Sequence, residues 1–388
     1  MIDMFSRMPG PRNWVVWIVM VIQFISAMIG MGALASASGT FLHSLVPISA
    51  HIAGWIISII ALIVVWSGRF NILKTIMSVL VVLMCIGVIY VATVVFPPLS
   101  ELLEGLLFKI PEVPEWAVKT AGASPNPWRE ILPLIGWAAG GFGSQVWYSY
   151  WVLGEGYGMA RGREYGQPAD LETLANLNKD DAHKLKGWSR LVYVDASVAI
   201  LITTVLTVCF LIAGAGILRP QELAPQGAEV AFTLSKLFSS KWGCFGGFLF
   251  MLSGTVALSG TLMVQMAGWP RLLADTFRIC IPKFGDTFQW KTQFRIFLVL
   301  FFITNMLIVV VFGLQPVSLV KTSAVLDGLL LTPLQAIWVF VGLFIIMPKL
   351  FTKEVYQIIR PHWIFAVLLI IAALVFSYFF IFQIPFIL

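Results

Sequence analysis

The chain has 388 residues, of which 59% are hydrophobic and only 11% charged, and its formal net charge is +6. So little polar surface cannot coat a water-soluble globule, which excludes a soluble enzyme and makes lipid the natural solvent. The positive balance does not indicate nucleic acid as a partner, because the basic residues are spread over loops and form no cluster interleaved with aromatics.

A helix crossing the roughly 30 Å hydrocarbon core needs about 20 mostly apolar residues. Nine runs meet that need, and none shows the short alternation of a barrel strand, so about nine transmembrane helices are expected. The first run, 14–37, follows Arg7 and Arg12. A cleavable leader ending near Ala33-Leu34-Ala35 is the competing reading, but the run is longer than a leader's apolar core. Runs 47–66 and 72–96 come next. Loop 97–129 carries Glu101, Glu104, Glu112 and Glu115 among six prolines, and is expected to be irregular with a short helix near 99–108.

The fourth run, 131–154, departs from the others because Gly136, Gly140, Gly141 and Gly143 fall within it. Each interior glycine costs a helix about 1 kcal/mol against alanine. Such a cluster marks a place where the helix can unwind and offer amides and carbonyls to a solute. Gly143, Ser144, Gln145, Trp147, Tyr148 and Ser149 form the candidate binding set. Close helix packing through small residues is the alternative, and Trp147, Tyr148, Tyr150 and Trp151 are candidates for an aromatic cage around an organic solute.

Loop 157–188 is the longest charged stretch, with 170–186 expected as a surface helix beginning after Pro168. Run 191–217 places Asp195 one turn inside, either on a solute pathway or at the membrane interface. Residues 228–239 set Val230, Phe232, Leu234, Leu237 and Phe238 among Glu229, Ser235 and Lys236, which suits an amphipathic helix on the membrane surface or an extension of the next run. Run 242–268 carries Ser253, Ser259, Thr261 and Gln265, a polar stripe whose hydroxyls can also bond to their own backbone. After run 296–314, run 319–347 contains Asp327. Lys321 precedes it by a spacing that does not bring two side chains of one helix together, so Asp327 is expected to face a cavity or another helix. The last run is 363–386.

Of the 25 Lys and Arg residues, 18 fall in loops on one side of this arrangement. By the positive-inside rule the chain is a multi-pass protein of the cell membrane, with its N-terminus cytoplasmic and its C-terminus external. Cys85, Cys209, Cys244 and Cys280 are isolated, and the four histidines form no ligand cluster, so neither disulfides nor a structural zinc site is indicated. No catalytic motif occurs in a supporting context, and residues 1–388 read as a single membrane domain.

In order and texture these runs resemble the natural-resistance-associated macrophage protein (Nramp) family of divalent-metal transporters over nearly the whole chain. The fourth run resembles that family's unwound sixth helix, Gly260-Thr261-Leu262-Met263-Val264-Gln265 resembles its eighth, and the stretch from Pro316 to Gly328 its tenth. The first three runs resemble its third, fourth and fifth helices. The resemblance implies an all-α integral membrane protein of the leucine-transporter type with an inverted repeat whose first half is incomplete. Residues 13–96 would supply three helices of the first repeat, 97–129 an outer loop, 130–347 the second repeat and 362–387 an extra C-terminal helix.

The family's Asp-Pro-Gly-Asn motif has no counterpart in these residues, so Met1 reads as a late start, and the chain alone is expected to insert and fold without transporting. Trp147-Tyr148-Ser149 stand where the family has Met-Pro-His, Ala324 where it has a tenth-helix glutamine, and Phe24, Met31 and Leu34 where it has the carboxylates of a proton route. With sulfur and imidazole gone, the resemblance implies transport of a hard divalent cation, Mg²⁺ or Mn²⁺, held by oxygens. Ser144, Gln145 and Ser149 are then the metal ligands, with Asp195, Gln265 and Asp327 along the pathway. No cofactor is expected beyond the transported cation, and the partners are the lipid bilayer and a small ion or solute. A transporter of a small organic solute and an inactive membrane protein are the alternatives.

Overall fold

A computed structural model describes residues 1–67, 71–105, 110, 112–138, 140–313 and 315–383. Among the described residues all regular structure is helical. Six segments are long and apolar enough to cross a membrane: Trp14–His43, Lys179–Gln221, Val230–Cys280, Trp290–Phe312, Pro316–Leu350 and Trp363–Phe382. Shorter apolar helices cover Ala50–Trp66 and Val81–Val94.

Helix α1 (Trp14–His43) is the centre of the molecule. Its second half is rich in Gly, Ala and Ser, which lets neighbouring backbones approach closely where there is no hydrophobic drive between helices. A Cβ on Gly39 would lie 2.6 Å from the Ala50 carbonyl, and one on Gly54 2.9 Å from the Ala35 carbonyl. Those glycines therefore fix the crossing of α1 with α2 (Ala50–Ser67). Helix α3 (Asn71–Val94) follows. Glycine permits a second close contact here, because Gly87 of α3 receives the ring of Phe238.

The fourth run forms two helices, α4 (Trp128–Ala138) and α5 (Phe142–Glu155). Loop 97–129 contains short helices at Leu99–Gly105 and Glu115–Ala121, and the rest of the helix expected at 99–108 lies outside the described residues. The surface helix expected over 170–186 is corrected to two pieces. Leu171–Ala175 is capped by Asp170, and the second piece is the start of α6 (Lys179–Ala213), capped by Asn178. Each cap side chain accepts an orphan amide and so begins a new helix, and α6 runs straight on into the fifth span. The Thr173 amide and hydroxyl both donate to Asp170, holding its carboxyl below the usual range.

Helix α7 (Val230–Cys280) bends at Gly243, whose φ of 61° suits glycine alone. The expected surface helix over 228–239 is the segment before that bend. Val230, Ala231, Leu237 and Phe238 are buried, and this apolar face packs on Val88 and Val91 of α3 and on Phe250. Its amphipathicity therefore faces protein, which makes it a kinked extension of the sixth span. Helix α8 (Trp290–Phe312) packs on α1, and the segment Pro316–Leu350 comprises α9 (Pro316–Ala324), α10 (Thr332–Val341) and π-helical turns at Val325–Leu329 and Gly342–Ile346. Helix α11 (Trp363–Tyr378) packs against α10 and runs on into a π-helical turn at Phe379–Gln383.

Burial separates inside from outside. The most apolar window of α1 is 56% buried, whereas those of the spans built on α6 and α11 are 6% and 0% buried. Apolar side chains left so bare belong against lipid tails.

Candidate functional site: the junction of two broken spans

The break between α4 and α5 falls at the glycines. Gly140 has φ +70°, and Gly141 stands just outside the first residue of α5. A residue with a Cβ would pay roughly 1–2 kcal/mol for the left-handed backbone at Gly140. Pro316–Leu350 is interrupted at the same place, where α9 widens into the turn Val325–Leu329 that carries Asp327 and α10 restarts with Pro333 in its first turn.

The two interruptions touch through glycine. A Cβ at Gly136 would strike the Ala324 carbonyl, one at Gly328 the Gly136 backbone, and one at Gly141 the Asp327 carboxylate. An ion pair between Lys321 and Glu130 ties α9 to α4. Lys321 thus pairs across helices and not with Asp327 of its own segment.

Asp327 is 7% exposed. Its Oδ1 accepts from Gln23 Nε2 of α1 at 3.0 Å and from the Gly143 N–H at 3.2 Å. Gln23 Oε1 in turn accepts from Trp269 Nε1 of α7 at 2.9 Å. One hydrogen-bond chain thereby joins four elements. Gly143 lies in the first turn of α5, where amides lack intrahelical acceptors and the helix dipole favours negative charge, so this carboxylate is held where its charge is best tolerated. Its Oδ2, beside Gly141, receives no hydrogen bond from the described residues.

Gln145 flanks the other residue of the break. Its Nε2 donates to the Gly140 carbonyl at 2.7 Å, and its Oε1 accepts from Gln335 of α10. Ser144 and Gln145 are exposed and Tyr148 and Ser149 half-buried, while Gly143, Val146, Trp147 and Tyr150 are buried. Ser144 and Ser149 donate their hydroxyl protons to the Gly141 and Val146 carbonyls at 2.7 and 2.6 Å. Their oxygens keep lone pairs that could meet a cation.

The structure divides the residues expected to act together. Gly143, Gln145 and Asp327 meet at the junction, with Ser144 beside them. Trp147 packs beside Gly143, its ring edge-on to Trp269 at 4.7 Å and its Nε1 buried without a partner among the described residues. Asp195 accepts from Tyr148 Oη at 2.7 Å and links α6 to the exposed side of α5. Gln265 keeps a buried Oε1 on α7 that has no partner among the described residues, whereas Ser259 and Thr261 donate to the carbonyls of Thr255 and Ala257.

The aromatic cage expected from Trp147, Tyr148, Tyr150 and Trp151 is not formed. Side chains adjacent along a helix point to different sides. Trp147 meets Trp269, Tyr148 meets Asp195, Tyr150 donates to Asp275 at 2.9 Å, and Trp151 lies under the Arg271 guanidinium. Asp275 belongs to a separate cluster, bound by Arg278 at 3.0 Å, and Arg278 also reaches Asp3 at 3.5 Å. The Tyr150 hydrogen bond fastens α5 to α7, and the Arg278–Asp3 ion pair ties α7 to the N-terminal segment.

Gln23, Gln335 and Trp269 were not anticipated from sequence. A carboxamide in the middle of an otherwise apolar run was the available signal for Gln23, since such a group needs a partner in lipid. No group of three or more His, Cys, Asp or Glu converges among the described residues. The donors that do converge are oxygens.

Residues 6–381 match the family described as natural resistance-associated macrophage protein-like. The chain belongs to this family. A comparison with curated proteins gave no match. Members of the Nramp family are divalent metal ion transporters rather than enzymes, acting on ions within a lipid bilayer. Membership together with the long apolar helices makes this chain an integral membrane protein.

Proposed function

We propose that this Nramp-family chain handles a hard divalent cation, Mg²⁺ or Mn²⁺, at the junction of its two broken spans. The observation that carries the reading is the meeting of the Gly140–Gly141 break with the Asp327 turn, because it gathers a carboxylate, carboxamides and unwound carbonyls at one point. Asp327 Oδ2 supplies the charge that offsets dehydration, while Gln145 and Ser144 supply neutral oxygens. Ser149, a turn further along α5, lies on the route out with Tyr148 and Asp195. Oxygen donors of this kind suit Mg²⁺ and Mn²⁺, and the absence of converging thiol or imidazole groups among the described residues withholds the advantage that a softer ion would need.

The same reading keeps the inverted-repeat arrangement, with 130–347 as one repeat, 13–96 as part of the other, 97–129 as the outer loop and 362–387 as the added C-terminal helix. It keeps the N-terminus cytoplasmic and the C-terminus external, on the strength of the charge bias.

The test is binding of Mn²⁺ to the purified chain in lipid nanodiscs, followed by loss of the free-ion electron paramagnetic resonance signal, with Mg²⁺ and Cd²⁺ as competitors. Mg²⁺ should displace Mn²⁺ at concentrations within about tenfold of those Cd²⁺ requires, a gap of roughly 1.4 kcal/mol. Displacement by Cd²⁺ at concentrations orders of magnitude below Mg²⁺ would contradict an oxygen-only site, and no Mn²⁺ binding at all would overturn the cation reading.

A further inference from the structure

A recess of about 990 Å³ lies between the start of α6, the short helix Lys353–Ile359 and the start of α11, and shares no lining residue with the junction. We propose that it binds the headgroup of an anionic phospholipid.

Charge is the first argument. Lys186 and Arg190 of α6 and Arg360 of the link to α11 line the recess, joined by His183 and His362, and no carboxylate is among the lining residues. None of the three permanent cations forms an ion pair among the described residues. Two of the nearby acids are engaged elsewhere, Glu354 with Lys179 at 3.0 Å and Asp181 with Lys184 at 3.2 Å. Uncompensated cations around a concavity attract a diffuse anion such as a phosphodiester.

Position is the second argument and selects a lipid over a free anion. Tyr193 of α6 stacks on Phe365 of α11, with ring centroids 5.7 Å apart, and Trp363 is 66% exposed at the rim. Tyr and Trp collect at the level of lipid headgroups. Beyond this level α6 and α11 continue as the two least buried spans, so the recess opens onto the acyl-chain region. A basic pocket between spans at the membrane surface has the form that holds anionic headgroups. Its volume also exceeds what a lone phosphate would fill, and Phe344 and Ile359 give it an apolar wall for glycerol and the first methylenes.

The test uses the full chain in detergent with a chelator present, titrated separately with phosphatidylglycerol, phosphatidylcholine and inorganic phosphate. Acyl chains brominated near the headgroup report occupancy through quenching of Trp363, measured as the quenching lost in Trp363→Leu. Phosphatidylglycerol should quench saturably, and the triple variant Lys186→Gln/Arg190→Gln/Arg360→Gln should need roughly 100-fold more of it, the combined loss of three headgroup contacts. The three side chains are exposed and form no ion pairs among the described residues, so their neutralisation should spare the fold; Arg360→Gln alone, expected to weaken binding roughly fivefold, serves if the triple variant aggregates. Equal quenching by phosphatidylcholine, complete displacement of phosphatidylglycerol by millimolar inorganic phosphate, or unchanged affinity in the variants would overturn the proposal. Mn²⁺ binding at the junction should be the same in all these variants, so the two sites stand or fall separately.

Discussion

Three glycines at the junction stand in for side chains that have no room, and they differ in what stands against them. At Gly328 an added Cβ meets the Gly136 backbone, which cannot step aside, whereas at Gly141 it meets the end of the Asp327 side chain. Gly328→Ala should therefore lower stability more than Gly141→Ala, with overpacking costs of about 1–3 kcal/mol or above. Thermal unfolding of the two variants in detergent checks the order, and equal melting temperatures would refute it. Gln23 bridges Trp269 and Asp327, so Gln23→Leu strands an indole N–H and removes a donor from a buried carboxylate. An unmet buried polar group costs roughly 1–3 kcal/mol, and the same melt should show the loss. Asp327 was legible in the sequence as a carboxylate deep in an apolar run with no partner at helical spacing. Gln23 was not, because its partners Asp327 and Trp269 lie 304 and 246 residues away and meet it only when the helices are packed.

At the scale of elements, local chemistry that ends a helix was readable and chemistry that only widens one was not. The break in the fourth span follows from glycine at position 140, whose φ of +70° draws on a freedom that belongs to the residue itself. The π-helical turn at Val325–Leu329 has no comparable local signal, since Val, Leu, Asp and Gly continue an apolar run and the widening depends on what packs against it. The amphipathic pattern over 228–239 was equally visible, yet whether lipid or α3 met its apolar face depended on contacts distant in the chain. Helix α5 now makes a sharp prediction about access. Cysteines placed at Ser144 and Gln145 should react with a small water-soluble maleimide if that face lines a wet pathway, while one at Val146, which is fully buried, should not. Failure of both exposed positions to label would put that face of α5 against lipid and remove the pathway.

For the whole molecule, the long apolar runs announced a helical membrane protein, because lipid leaves the backbone no other open solution. Their assembly around α1 rests on small residues in pairs such as Gly39 with Gly54, whose partnership appears only when both helices are placed. Orientation is open to a direct check in a background with Cys85, Cys209, Cys244 and Cys280 replaced. A cysteine at Ser124 should react with an impermeant reagent added outside intact cells, and one at Ala175 only after permeabilisation. The reverse pattern would invert the topology drawn from charge.

The claim on which the functional account depends is that Asp327 supplies the charge of a divalent-cation site. Asp327→Asn keeps an acceptor oxygen for Gln23 and for the Gly143 amide, so it removes the charge while preserving the junction. Equilibrium binding of radioactive Mn²⁺ to wild type and Asp327→Asn, each shown by its melt to be folded, isolates that charge. The account predicts one saturable site that weakens at least about tenfold in the variant, a loss of 1.4 kcal/mol or more; equal affinity in the two proteins would contradict it.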